Sequence, residues 1–304
     1  MNDRTRPVVV IGGTGLVGAA VVRELYFAGH AVRVVARHPR LPEEVEDGDP
    51  VEAIQADIED PESLKAALEG ASAVINAVSL YRESGKRSFE QVHVEGAARL
   101  ARLAREAGID RYVLLSGIGA RLDSPSPYVR ARARGEQAVM GEIPRAVIVR
   151  PSALYGQQSG LVATLARLVK MPLVPLFGAG EMRLQPLHVG DLASALARLA
   201  TRASLPRALY ELGGPDPLRY RDLVTQVARH LGREPRFIKV PLPLWHALAL
   251  ALSPLPSPPL TRDTLWLISE DNLVANGVGS FADLGLNPRS LRDSLPHCLP
   301  TQAG

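Results

Sequence analysis

One cysteine, Cys298, is all the thiol chemistry this chain carries. A lone cysteine excludes an intrachain disulfide and fits a reducing compartment. Lysine is nearly as scarce. Of the 35 basic side chains only Lys65, Lys86, Lys170 and Lys239 are lysines, and the rest are arginines. With 25 prolines and abundant alanine this reads as a genome-wide composition bias, so arginine can stand where a related chain has lysine. Net charge is only +3 with no concentrated basic patch, which argues against nucleic acid as a partner. No His, Cys or carboxylate cluster has metal-site spacing, so no metal is expected. No apolar run reaches the ~20 residues a membrane span needs. The apolar run near the start reads as a strand rather than a secretory leader.

What is present is concentrated at residues 8–18. Four β-branched residues, Val8 to Ile11, run into Gly12, Gly15 and Gly18 at G-x-x-G-x-x-G spacing. A helical pattern follows, with Val17, Ala20, Val21 and Leu25 on one face. In a strand–turn–helix of this kind the first glycine allows the tight turn. The second lets backbone approach a pyrophosphate, and the third lets helix pack on strand. The unpaired amides and positive dipole end of the helix attract phosphate. A structural glycine turn that binds nothing is the alternative.

Strand and helix patterns then alternate: strands at 31–36, 54–55, 73–77, 111–115 and 146–149, helices at 61–69, 88–107 and 127–140. Such alternation requires a parallel sheet covered on both faces, and right-handed crossovers make it doubly wound. After Pro151 the pattern loosens into helices at 190–202 and 219–231 with a strand at 208–212 between them. The fold class expected is α/β: a Rossmann-type doubly wound parallel sheet over residues 1–155, with a smaller, irregular C-terminal subdomain over 156–304. Part of 181–213 is expected to pack back on the core. The proline-rich 254–259 stretch reads as a rigid connector.

The cofactor follows from the strand ends. NAD sites place an acid after the second strand to bind the ribose 2′-hydroxyl. Here Arg37 stands, which suits a 2′-phosphate and favours NADP(H) over NAD(H). Asp57 is placed to accept from an adenine amino group, with Ile58 against the ring. Small residues after the fourth strand, Ala77 and Val78, would run beside the adenosine ribose, and Asn76 would either join them or brace the loop. The cofactor set is thus Gly12, Thr14, Gly15, Leu16, Val17, Gly18, Arg37, Asp57, Ile58, Ala77 and Val78, with Tyr128 and Arg132 at the nicotinamide end.

These residues, with His93 in a Phe89–Ala97 segment, Leu114-Leu115-Ser116, Tyr128 to Glu136, Val149-Arg150-Pro151-Ser152, His188-Val189-Gly190-Asp191, Tyr210 to Pro215, Asp271-Asn272 and Phe281 to Gly285, carry a resemblance. The chain resembles the extended, atypical short-chain dehydrogenase/reductases, epimerase/dehydratase-like. Within them it is most similar to the nucleotide-binding accessory subunits of respiratory complex I and their bacterial relatives. The likeness spans nearly the whole chain. It implies a Rossmann fold with bound NADP(H). It also implies a site built on Tyr-x-x-x-Lys with an upstream Ser, which map to Tyr128, Arg132 and Ser116. Tyrosine needs a nearby cation to act as acid/base near neutrality, and Arg132 lies one helical turn from Tyr128. Arginine is not lysine, however, and His93 stands where many extended members have Asn. Two readings of Arg132 stand: composition drift with activity kept, or catalysis lost with Tyr128 lying along the ribose. His188 reads as a structural residue at a helix entry.

Residues 240–261 contain no charged side chain. Prolines at 241, 243, 254 and 256 limit any helix there to about eleven residues, too short to span a bilayer. It docks on its own domain, or it meets a membrane surface or a membrane-bound respiratory complex, with Lys239 and Arg262 suiting anionic headgroups. The function expected is a cofactor-binding accessory or assembly subunit of a complex I-type NADH:quinone oxidoreductase, cytoplasmic and peripheral on the inner membrane. The alternative is an active NADP-dependent reductase or nucleotide-sugar epimerase using Tyr128, with a small-molecule substrate.

Overall fold

A computed structural model describes residues 5–85, 87–157, 159–253, 255, 260 and 262–299. Most of the 254–259 connector therefore lies outside the described residues. The first half alternates β1 (Val8–Ile11), α1 (Leu16–Phe27), β2 (Val32–Ala36), β3 (Val51–Gln55), α2 (Pro61–Leu68) and β4 (Ala73–Asn76). A π-helical turn (Glu90–Gly96) leads into α3 (Ala97–Glu106), followed by β5 (Arg111–Leu115), α4 (Pro127–Glu142) and β6 (Val147–Pro151). The second half contains β7 (Leu154–Gly156), α5 (Gly160–Leu168), β8 (Val174–Phe177), β9 (Arg183–Leu184), β10 (Leu187–His188) and α6 (Val189–Thr201). It continues through β11 (Leu209–Leu212), β12 (Leu218–Arg219), α7 (Tyr220–His230), β13 (Phe237–Val240), α8 (Leu242–Leu252), α9 (Arg262–Leu267) and α10 (Leu291–Cys298).

The main sheet is parallel throughout, in the order β11-β6-β5-β4-β1-β2-β3. The strand order reverses between β1 and β4, and their carboxyl ends open the crevice where doubly wound sheets take ligands. Central strands are rich in Val and Ile because both faces are covered: β1 and β4 are buried throughout, and in β2 only Arg33 and Ala36 are partly exposed. One layer packs α1 and α6 on the sheet through Val21, Leu25, Leu192, Leu196 and Leu199, and the other packs α2, α3 and α4. Thus α6 and β11, from the second half, complete the sheet and one of its faces. A separate core lies under Tyr155, Leu165, Val174, Tyr220, Leu223 and Leu295.

Two elements differ from the sequence expectation. β3 is five residues long, not two, because it is the edge strand and its exposed Glu52, Ala53 and Gln55 hide it from an apolar count. The first turns of the expected 88–107 helix are wound as a π-helix. There Gly135 of α4 comes so close that a Cβ on it would lie 2.0 Å from the His93 carbonyl oxygen. That packing holds the widened coil against α4, and π-turns concentrate at functional sites. Among the described residues, no helix is long and apolar enough to cross a membrane.

Candidate functional site

The glycine turn sits at the carboxyl end of β1, and its glycines serve different needs. Gly12 has φ +81°, and a Cβ there would lie 3.1 Å from the backbone of Ala77 and Val78. Its lack of side chain lets the turn after β4 close on the turn after β1. Gly18 is tighter still: a Cβ would stand 2.1 Å from the Gly12 carbonyl oxygen, so glycine is what lets α1 press on the strand. Gly15 is otherwise. Its backbone is ordinary extended (φ −74°, ψ 171°), and a Cβ would meet only the Gly12 oxygen, at 3.3 Å. What its missing side chain preserves is outward space. Thr14, Gly15 and Leu16 are exposed there, with Val17 buried below. The Ala19 amide donates back to the Gly15 carbonyl, but the amides of Leu16, Val17 and Gly18 find no partner among the described residues, and no side chain caps the helix. Three free N–H groups at a positive dipole end make an anion cradle.

The same turn is tied to β2: Gly12 and Gly13 both donate to the Val35 carbonyl, at 2.8 and 3.0 Å. Arg37 follows two residues later, exposed and without an ion pair or hydrogen bond among the described residues. Asp57 is less free. Its carboxylate pairs with Arg87 and accepts from the Glu59 amide at 3.2 Å, so an adenine amino group would compete with those contacts. Ile58 is buried against Gly96, where it packs the π-turn rather than facing an open ring site. Asn76 braces its loop: its Oδ1 accepts from Val78 N and its amide donates to the Tyr112 hydroxyl.

The second centre hangs on α4. Ser126 caps it by accepting from Val129 N, and Pro127 opens its first turn. Tyr128, Arg132 and Glu136 then fall at successive four-residue steps on the buried face. Arg132 is only 5% exposed, and each of its three nitrogens donates within the protein. Its Nε donates to the Tyr128 hydroxyl (3.2 Å), Nη1 to the Leu115 carbonyl (2.8 Å) and Nη2 to Ser79 Oγ (2.6 Å). Its guanidinium also lies over the Tyr128 ring, 5.4 Å from the centroid. Among the described residues no carboxylate pairs with it. Tyr128 is boxed by Tyr81 (stacked, 5.7 Å), Phe89 (5.5 Å) and His93 (5.6 Å). The His93 Nε2 sits 2.9 Å from the Leu80 carbonyl. Burial first, and the Arg132 charge second, hold the His93 pKa down to about 3, so the ring is neutral. A cavity of about 10 Å³, room for one water, separates Asn76, His93, Ser116 and Arg132.

Ser116 is not joined to Tyr128 here. Its hydroxyl donates to Glu136 at 2.5 Å. Glu136 is gripped by Arg150 in a two-pronged contact (2.9 and 2.6 Å), and Arg150 reaches Glu211 at 3.3 Å. Glu211 in turn accepts from the Ala275 amide. The Ser116–Glu136–Arg150–Glu211 chain staples α4, β5, β6 and β11. The sequence reading missed Glu136, Arg150 and Glu211. The signal available was their place in three separate segments of the resemblance, which this network unites. His188 caps α6 by accepting from Gly190 N, and Asp191 holds Arg289.

The profile of a family described as NAD(P)H-binding matches residues 12–171, from the glycine turn to beyond β6. The chain belongs to this family, as an atypical extended short-chain dehydrogenase/reductase. It is 33% identical over 299 residues to the mitochondrial NADH dehydrogenase [ubiquinone] 1 alpha subcomplex subunit 9 of Arabidopsis thaliana, covering 93% of this chain and 74% of that one. It is 31% identical over 245 residues to the ceramide reductase of Caulobacter vibrioides, covering 80% and 76%. The UDP-glucose 4-epimerase of Thermus thermophilus, solved with NAD, shares the fold at a TM-score of 0.67 and 21% identity, over 96% and 97% of the two chains.

Proposed function

We propose that this member of the family is an NADP(H)-binding accessory or assembly subunit of a complex I-type NADH:quinone oxidoreductase. The observation that carries the reading is the contrast inside the site. The phosphate cradle is open, whereas the catalytic positions are occupied by contacts within the protein. The cradle of Leu16, Val17 and Gly18 amides would hold the pyrophosphate, with Thr14 and Gly15 lining it. Ala77 and Val78 would flank the adenosine ribose, and Tyr128 and Arg132 would bound the nicotinamide end. Arg37 would fork onto a 2′-phosphate, since nothing among the described residues uses its charge. NADP(H), when bound, supplies a hydride donor or acceptor. The residues around it bind and orient, and the Ser116 hydroxyl, engaged by Glu136, is not positioned to pass a proton to Tyr128. The subunit would sit on the cytoplasmic face of the inner membrane, meeting the complex or the membrane surface through residues 240–261. Similarity to a subunit of the mitochondrial complex supports that placement.

Calorimetry tests the cofactor reading: NADPH should bind more tightly than NADH, and Arg37→Asp should weaken NADPH by at least about tenfold. Equal affinities in the unsubstituted protein would exclude a 2′-phosphate site.

A further inference from the structure

Resting on the reading that residues 240–261 face a membrane or a complex, we propose that the partner is an anionic phospholipid surface. The docking face is also larger than that stretch. Nine of the fifteen exposed large hydrophobic side chains among the described residues fall between Met171 and Leu267. Their segments are joined. β13 pairs with β8 along its length, Trp245 of α8 donates to the Leu176 carbonyl at 3.2 Å, and its ring packs on Phe177 at 4.7 Å. Trp245 therefore pins α8 to the β8–β13 ribbon. Only Ala249 of that helix is buried, and Leu244, Leu248 and Leu250 are 60%, 43% and 62% exposed. Met171 and Leu173, just ahead of β8 in the chain, are 50% and 51% exposed, and apolar exposure on this scale is of a kind that water rarely meets uncovered.

Charge selects the occupant. Residues 161–180 and 235–253, which carry these side chains, contain no Asp or Glu. Arg167, Lys170, Arg236 and Lys239 are exposed there with no ion pair among the described residues, whereas the Lys65 side chain elsewhere is paired with Glu62. Unpaired cations around a leucine helix with no charged residue suit an interfacial element on anionic headgroups. A protein interface is a poorer match. Lysine is depleted at such contacts, and this helix offers few polar groups to specify a partner. With eleven residues the helix lies on the surface and does not span it.

The experiment is co-flotation of the full chain with phosphatidylcholine vesicles, with and without phosphatidylglycerol, at low and high salt. Anionic vesicles should bind at least about tenfold more protein, and salt should reverse much of it. Leu250→Glu should abolish binding. Lys170→Glu and Lys239→Glu should each weaken it about fivefold, at unchanged melting temperature because all three side chains are exposed. Equal binding to neutral and anionic vesicles would overturn the proposal. So would a chain that ignores vesicles but forms a dimer, or captures an acidic protein, in a Leu250-dependent way. NADPH calorimetry on the same preparations reads the cofactor site separately: vesicle binding without NADPH binding would remove the cofactor reading and leave this face standing.

Discussion

The glycine turn and the α4 centre lie within one crevice and treat their polar groups in opposite ways. At the turn, three backbone amides and the Arg37 guanidinium have no partner among the described residues. At α4, Arg132 spends each of its nitrogens on protein acceptors, Ser116 is held by Glu136, and the His93 ring is neutral. Unpaired groups in a cleft are capacity for a ligand, since binding satisfies them. Saturated groups resist the rearrangement that proton transfer needs. The difference teaches that one crevice can leave some polar groups free for a ligand while its neighbours are engaged within the protein.

The contrast can be broken most forcefully through the network beneath α4. Arg150→Met leaves the buried Glu136 and Glu211 carboxylates without their cation, and should cost about 3–5 kcal/mol in urea unfolding at neutral pH. A variant as stable as the parent would mean that the network is not holding the centre shut. At the open end, Gly15→Val keeps an allowed backbone conformation but fills the outward space, so NADPH affinity should fall by roughly a hundredfold or more with the fold retained. Normal binding by that variant would move the phosphate elsewhere.

His93 tests the centre by pH. Its folded pKa lies below the unfolded value, so the unfolded chain binds the extra proton. Stability is then full above about pH 6.5 and falls as pH drops toward 3. Unfolding free energy should be about 2 kcal/mol lower at pH 5 than at pH 7.5, and His93→Asn should remove that share of the slope. An unchanged slope in the variant would show that the ring is not held neutral. The smallest effect is expected at Tyr128. Tyr128→Phe loses one hydroxyl that accepts from Arg132, and should change NADPH affinity by less than about twofold. Steady turnover of a defined substrate, abolished by this change, would restore the enzyme reading.

Much of the sheet was legible because both of its faces are covered, which makes β1 an unbroken β-branched run and leaves β2 and β4 rich in Val and Ile. β3 was read short because its edge position leaves it partly polar. The glycine turn was legible because its three glycines recur at fixed spacing between a β-branched run and a helical pattern. Glu136, Arg150 and Glu211 were not, since each looks in sequence like one more surface charge. Neither was the fate of Asp57, whose Arg87 partner lies thirty residues away.

The sequence by itself determined the β1–α1 turn, its spacing and the cation at the end of β2, because those depend on neighbours along the chain and on the period of the elements. Tertiary structure alone decided which polar groups remain free. Pairing between β5, β6, β11 and α4 brings Ser116 to Glu136 and Arg150 to both glutamates. Whether α8 was buried or bare was also settled by packing. Its apolar residues suit either outcome, and Trp245 fastens the helix by one side and leaves its leucines facing outward.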